Sequence, residues 1–233
     1  MKLLRAIIGL GTIAGVISTA NAISVDLSGF VHGHILQPGD TPGVTIKATN
    51  NGDGPDLAVV FDTTLTGTRD DDLEGPSWAG GNLPTSTTIG NAIIVQENRN
   101  GIGDGVADLP DDEAGGGAIE FKFDMAIDSF GFDLVDIDAN EFVFSFFNDG
   151  GLVGAKATAN FIADNGAVFG NNTINRIAPL SFGQSFDQVV ISLSGSGAVA
   201  NVNYTKRVPD GGSTLLLLGG VLMLAFGFKR RLG

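Results

Sequence analysis

Hydrophobic and polar side chains alternate along much of the middle of the chain. The alternation is regular over residues 44–49 and over residues 119–125. A period of two places the apolar side chains on one face of a β-strand. No internal stretch keeps a helical period for ten residues. Shorter runs of the same kind predict further strands over residues 24–31, 57–62, 92–97, 130–138, 142–147, 152–162, 188–193 and 198–204.

Turn-forming residues separate these predicted strands. Residues 51–55, 148–151 and 164–166 combine glycine with asparagine, aspartate or proline, and the chain has 35 glycines in 233 residues. Such clusters favour tight turns between strands. About ten strands at this spacing predict an all-β fold of two packed antiparallel sheets, a β-sandwich or jelly roll. Sixteen phenylalanines are expected to supply much of its core.

The N-terminal segment has the composition of a secretory signal peptide. Two basic residues precede an apolar run over residues 6–16, and Ala20-Asn21-Ala22 is a small-x-small cleavage site. We therefore expect residues 1–22 to be removed and the mature chain to begin at Ile23. The alternative is a short amphipathic helix at the start of a cytosolic protein.

The C-terminal segment, residues 208–233, has three parts: a short proline-glycine motif, an apolar stretch and a basic end at residues 229–231. A helix over residues 213–228 would span about 24 Å, which is short of the ~30 Å hydrocarbon core, so its insertion is marginal. The basic end is expected to stay in the cytoplasm, which leaves the acidic domain, residues 23–207, on the far side of the membrane. The motif is formed by Val208, Pro209, Asp210, Gly211 and Gly212.

This tail resembles the PEP-CTERM class of exosortase substrates, in particular the variant whose motif reads VPDSG. Gly211 stands where that variant has serine. The resemblance implies retention in the membrane through the C-terminal helix and cleavage near the motif by an exosortase-type enzyme. Release or attachment at the cell envelope or extracellular matrix would follow. The alternative is a permanent C-terminal membrane anchor.

The charge of the chain excludes one class of partner, and its composition excludes several kinds of site. The formal net charge is −13, and residues 23–208 carry 8 basic and 25 acidic residues, a net charge of −17. So acidic a domain does not bind nucleic acid by neutralising phosphates. It attracts cations instead. Without cysteine the chain has no disulfide, zinc-thiolate cluster or thiol nucleophile.

Acidic residues gather in three groups at predicted turns. Carboxylates packed this closely repel one another unless they are solvated or bridged by a cation. Calcium takes six to eight oxygen ligands from loops of this kind, so Ca²⁺ is the predicted cofactor. The alternative is a set of solvated aspartates that keep a secreted protein soluble. The predicted metal ligands are Asp70, Asp72, Asp104, Asp111, Asp112, Asp136 and Asp138.

A second resemblance covers roughly residues 57–204. The order of their short motifs is similar to that of an uncharacterised extracellular β-sandwich domain carried by many exosortase substrates. The resemblance implies a sandwich fold and a surface location, and it brings no established activity. The motifs include Phe61-Asp62-Thr63-Thr64, Asp70-x-Asp72-Leu73, Pro110-Asp111-Asp112, Gly131-Phe132-x-Leu134-x-Asp136-Ile137-Asp138 and Ser194-Gly195-Ser196-Gly197-Ala198.

Catalysis has little support in the sequence. Glycoside hydrolysis needs two carboxylates across a bond, but acidic residues are equally abundant at the turns of non-enzymes. The two histidines, His32 and His34, are not accompanied by a nucleophile motif. Trp78, in a glycine-proline loop, is a candidate for stacking on a sugar ring; the alternative is a plug on the sandwich. We expect a non-catalytic surface or matrix protein associated with exopolysaccharide, the alternative being a carbohydrate-binding module or weak glycoside hydrolase.

Overall fold

The computed structural model describes residues 21–137 and 142–207, and residues 21–207 form one compact unit. The described residues confirm the predicted all-β class, because nearly all of the strand pairs are antiparallel. One short 3₁₀-helix covers Asp71–Leu73. The other elements are β1 (Ala22–Ser24), β2 (Val44–Asn50), β3 (Ala58–Asp62), β4 (Gly80–Gly81), β5 (Asn91–Val95), β6 (Gly117–Val135), β7 (Phe142–Asn148), β8 (Gly151–Ala157), α1 (Thr158–Asn165), β9 (Thr173–Leu180), β10 (Phe186–Leu193) and β11 (Ala198–Lys206).

The long strand β6 connects the two layers of the sandwich. Its first part, residues 117–123, pairs with β2 and β10, and its second part, residues 127–135, pairs with β9 and β11. The register is irregular between these parts, where Phe186 lies opposite Ile127 but Gln188 lies opposite Lys122. A strand that changes sheets at such an irregularity forms a corner of a sandwich. The two separate strands predicted over residues 119–125 and 130–138 are therefore one.

Phenylalanine side chains fill the space between the layers, as predicted. The rings of Phe132, from the second part of β6, and Phe144, from β7, stack across the core with centroids 4.7 Å apart. Phe121 and Phe130 lie in the same buried cluster as Val199 of β11. Burial of this much aromatic surface is the main source of stability in a domain without disulfides.

A second apolar cluster covers the outer face of the β3–β5–β11 layer. In β3, Val60 belongs to the main core, whereas Val59 and Phe61 belong to the second cluster. The neighbouring strand β5 divides its side chains between the same two clusters, with Ile93 in the main core and Ile94 in the second. Strands buried on both faces are continuously hydrophobic, which explains why these two runs show little alternation.

Two predicted strands extend too far, and β9 is missing from the prediction. Residues 158–162, predicted as strand, belong to α1, which places the buried Phe161 against the core and ends at Gly166 with a left-handed backbone (φ 63°). Residues 25–31 leave the strand after Ser24, because the Asp26 carboxylate accepts hydrogen bonds from the backbone and hydroxyl of Ser28 and forms a turn. Strand β9 was not predicted, since Asn175, Arg176 and Pro179 break its alternation.

The predicted leader and sorting tail lie largely outside the described residues. This applies to the apolar run at residues 6–16, to the motif at residues 208–212 and to the predicted helix at residues 213–228. Within the described part of the chain, no helix is both long enough and apolar enough to cross a membrane.

Candidate functional site

Three predicted ligands from distant parts of the chain lie close together, and two of them contact one serine. The hydroxyl of Ser196 lies 2.7 Å from both carboxylate oxygens of Asp112 and 3.4 Å from Oδ2 of Asp136. The backbone N–H of Asp112 donates to Oδ2 of Asp70 at 3.4 Å. We call Asp70, Asp112, Asp136 and Ser196 the acidic cluster. All three of its carboxylates are buried, with at most 8% of each residue exposed.

Local structure holds Asp70 in the cluster. Its Oδ1 accepts a hydrogen bond from the backbone N–H of Leu73 at 3.2 Å, which caps the 3₁₀-helix that begins at Asp71. Leu73 is fully buried in the second apolar cluster. The cap and the buried leucine together draw a charged residue of a surface loop inward.

The end of β6 and the turn before β11 supply the other side of the cluster. Asp136 follows the last residue of β6 with a left-handed backbone (φ 51°), and its Oδ1 accepts a hydrogen bond from the backbone N–H of Asn172. Gly197 has φ 147° and donates its N–H to Oδ2 of Asp112. This φ lies in the region that favours glycine, so any other residue at position 197 would strain the turn.

Burial makes the ionised form of this cluster unfavourable. It raises the pKa of the Asp112 carboxyl well above its usual range, and the nearby charge of Asp70 contributes to the rise. Burial also raises the pKa of Asp70. Within residues 21–137 and 142–207, no lysine or arginine forms an ion pair with either residue. The pair therefore favours a bound proton or a bound cation over two free charges.

A basic residue is present beside the cluster but pairs elsewhere. Nε of Arg69 lies 2.6 Å from Oδ2 of Asp111, which is the residue before Asp112. A hydrogen bond with Asp111, together with burial, raises the pKa of Glu97 to about 6. Arg69, Asp111 and Glu97 thus lie beside the cluster, and the guanidinium of Arg69 is paired with Asp111.

The remaining predicted ligands do not join the cluster. Asp72 approaches it through its backbone, because its carbonyl oxygen accepts a hydrogen bond from the Asn172 side chain at 3.3 Å. The Asp104 carboxylate is exposed and accepts from the backbone N–H of Val106 in its own turn. Asp138 lies outside the described residues. Among those that are described, no group of three histidine, aspartate or glutamate side chains is arranged to hold a metal ion.

Ser196 and Asn172 are the members of the site that sequence reasoning missed. Ser196 lies in the pattern Ser194-Gly195-Ser196-Gly197, which indicated only a turn into the last strand. The sequence around a serine between two glycines does not indicate which residues lie near that serine in the fold. Asn172 lies in a stretch with no recognised motif, and its left-handed backbone (φ 55°) is a property of the folded turn.

Trp78, the candidate for sugar stacking, is buried. Only 3% of this residue is exposed, and it packs in the second apolar cluster. Its indole Nε1 donates to the carbonyl oxygen of Thr87 at 2.7 Å. A sugar stacks on an exposed aromatic face, and this indole presents none, so Trp78 acts as a plug on the sandwich.

The chain has a weak structural similarity to a solved carbohydrate-binding module. The chain has a TM-score of 0.36 and 10% identity to a mutant of CBM29-2, a family 29 carbohydrate-binding module, over 82% of this chain and 100% of that one. No curated protein matches the chain. The resemblance of residues 57–204 to an extracellular sandwich domain stays a prediction.

The sorting tail has a specific match. Residues 207–232 match the VPDSG-CTERM motif, a PEP-CTERM-type exosortase sorting signal, which confirms the resemblance stated for the tail. The match includes the five predicted motif residues and begins directly after the last residue of β11. The signal implies that the protein is exported to the cell surface or the extracellular space.

Proposed function

We propose that this protein is a non-catalytic β-sandwich that an exosortase-type enzyme processes at its tail and leaves at the cell surface or in the extracellular matrix. The observation that carries the proposal is the match of residues 207–232 to the sorting motif. The position of the match supports it, because β11 ends at Lys206 and the matched residues follow directly.

Expression of the full chain in a host that has a VPDSG-type exosortase tests the sorting step. The expected result is a surface or extracellular product that begins at Ile23 and has lost the apolar tail, identified by mass spectrometry. A matched variant, Pro209→Ala, should accumulate in the membrane fraction with its tail intact. Recovery of wild-type protein in the cytosol with Met1 and Gly233 both present would refute the proposal.

We further propose that calcium binds at the carboxylates of Asp70 and Asp112 and that the ion stabilises the domain. The support is electrostatic: Asp70 and Asp112 are buried, their pKa values are raised, and the nearby guanidinium of Arg69 is paired with Asp111. Asp70 and Asp112 would hold the ion, and calcium, which prefers oxygen ligands, would compensate their two negative charges, with water supplying further oxygen ligands.

Thermal unfolding of the full chain in detergent, with millimolar calcium or with chelator, tests this part. If calcium is present at ten times its dissociation constant, the domain gains about 1.4 kcal/mol of stability. Asp112→Asn should lose this response, whereas Asp104→Asn, which changes an exposed carboxylate outside the cluster, should keep it. An unchanged melting temperature in wild-type protein would exclude a stabilising calcium site.

We also propose that the domain, once in the matrix, associates with exopolysaccharide without cleaving it. Co-sedimentation of the processed protein with polysaccharide from the same host measures the association. An assay for reducing sugars measures cleavage. Sugar release that disappears on substitution of a single Asp or Glu would replace this proposal with a glycoside hydrolase.

A further inference from the structure

The chain enters the domain beside the point where it leaves it. Strand β1 lies antiparallel to the end of β11, with Ala22 opposite Thr205 and Ser24 opposite Asn203. The pairing continues past β1, because the backbone N–H of Val25 donates to the carbonyl oxygen of Val202 at 2.9 Å. The first and last segments of the folded domain are therefore neighbours in one sheet.

Both processing points border this pair of strands. The predicted leader cut follows Ala22, so it removes only the first residue of β1 and leaves Ile23 and Ser24 paired. The match to the sorting motif begins at residue 207, and the last residue of β11 is Lys206. The two cuts thus fall at the two chain ends that the β1–β11 pair brings together.

Strand β1 supports the end of β11 on a side that would otherwise be an open edge. Tyr204 lies between Phe130 of β6 and Ile23 of β1. Ile23 and Val25 also pack against the main core cluster. Without β1, the last residues of β11 would pair with β6 alone, and terminal residues with few partners open readily.

We propose that β1 holds the end of β11, directly before the sorting tail, in the sheet. We call this pairing of β1 with the end of β11 the clasp. Once the leader has been removed, this pairing keeps residues 203–206 in the sheet, so the tail is cut from a domain whose last strand stays folded. The leader cut and the tail cut are then made at the same end of the domain. This inference rests on the proposed function, because it treats both terminal segments as sites of processing.

Trypsin offers a direct test, because it cuts after Lys206 in β11 and after Arg207 beyond it. In purified full-length protein in detergent, Val25→Pro removes the N–H that bonds to Val202. Loss of one such hydrogen bond corresponds to an increase of about fivefold in opening, and cleavage after Lys206 should accelerate by that factor. Val25→Ala keeps the N–H and controls for lost packing.

Ser24→Pro is the matched control. Hydrogen bonds of antiparallel pairs alternate, so the N–H of Ser24 points away from β11 while that of Val25 points toward it. Proline is tolerated on an edge strand at such a position. Cleavage of Ser24→Pro at the wild-type rate, together with accelerated cleavage of Val25→Pro, supports the clasp. Equal rates for Val25→Pro and wild-type protein would overturn it.

A disulfide locks the clasp and gives a second readout. The chain has no cysteine, so Ser24→Cys combined with Asn203→Cys forms a single defined bridge. Directly opposed residues at a position without hydrogen bonds have Cα atoms about 4.5 Å apart, which suits a disulfide. The oxidised variant should resist cleavage after Lys206 and still lose its tail in the exosortase host; a locked protein that keeps its tail there would contradict the proposal.

The two proposals fail in different ways. Wild-type protein that keeps its tail in the host would count against exosortase sorting. The trypsin rates are measured without that enzyme, so they decide whether β1 holds the end of β11 in either case.

Discussion

Arg176 and Asp133 form a two-pronged ion pair on the β6–β9 ladder. Nε and Nη2 of Arg176 each lie 2.8 Å from one carboxylate oxygen of Asp133, and the side-chain amide of Asn201 donates to the same carboxylate at 2.8 Å. Asp133 is 1% exposed. Its partners satisfy this buried carboxylate, whereas Asp70 and Asp112 have raised pKa values and no basic partner among the described residues.

Arg176→Ala should therefore destabilise the domain. Removing one partner of a buried pair leaves an uncompensated charge, and we expect a loss of about 3 kcal/mol in the free energy of unfolding. Urea denaturation measures the change. Arg99→Ala, which removes an exposed hydrogen bond to Gly54, should cost less than about 0.5 kcal/mol. Equal losses in the two variants would show that the Arg176–Asp133 pair adds no more stability than an exposed hydrogen bond.

Asp112→Asn should stabilise the calcium-free domain. Gly197 N–H and the Ser196 hydroxyl both donate to Oδ2 of Asp112, so the amide oxygen of asparagine can accept both, while the like charge beside Asp70 is removed. A gain of about 1 kcal/mol at pH 8 would raise the melting temperature by roughly 2–4 °C in a domain of this size. A lower melting temperature in chelator would mean that the Asp112 charge is already compensated in the native protein.

The calcium-free domain should be more stable in mild acid than in mild base. The folded pKa values of Asp70 and Asp112 are raised, and that of Glu97 is raised to about 6, so these three carboxyl groups bind more protons in the folded state than in the unfolded chain. Stability then falls as pH rises from about 4 through these raised values. Denaturation at pH 5 and pH 8 in chelator measures it; higher stability at pH 8 would contradict the prediction.

Calcium should reverse part of this pH dependence. A cation that binds the ionised carboxylates competes with protons, so its stabilising effect should be larger at pH 8 than at pH 5. The melting temperature with and without calcium at the two pH values gives the comparison. An effect of the same size at both would place the ion away from Asp70 and Asp112.

Trp78→Ala should lower the stability of the domain without removing a contact to polysaccharide. Truncation of a buried indole costs about 3–5 kcal/mol. Trp78→Phe, which keeps an aromatic ring but loses the hydrogen bond to Thr87, should cost less. Thermal unfolding measures stability, and co-sedimentation of folded Trp78→Phe with polysaccharide measures binding. Loss of binding in this folded variant would restore Trp78 as a sugar-contacting residue.

Sequence reasoning reached the class of the fold because alternation is a local property. Residues 44–49 alternate as in a strand with one buried and one exposed face, and β2 lies there. It failed for Thr158–Asn165, where the helix depends on Phe161 reaching a core built from other strands. It also failed for β9, whose polar residues are held by pairing with β6.

For the candidate site, the sequence indicated the ligand types and the structure decided which of them meet. Asp70, Asp112 and Asp136 are far apart in the chain, and no spacing rule relates them to Ser196. Asp104 looked equivalent to them but lies in an exposed turn of its own. Trp78 stood out as the only tryptophan, yet its position on the sandwich depends on strands that lie both before and after it in the chain.

The sorting motif, the acidic charge and the all-β class can be read from the amino-acid sequence, since each depends on the order or composition of neighbouring residues. The folded structure was needed to show that Asp70, Asp112 and Asp136 are buried close together, that Trp78 is buried on the sandwich and that β1 pairs with β11. These features depend on contacts between residues distant in the chain, and such contacts form only when burial of the shared core brings the strands together.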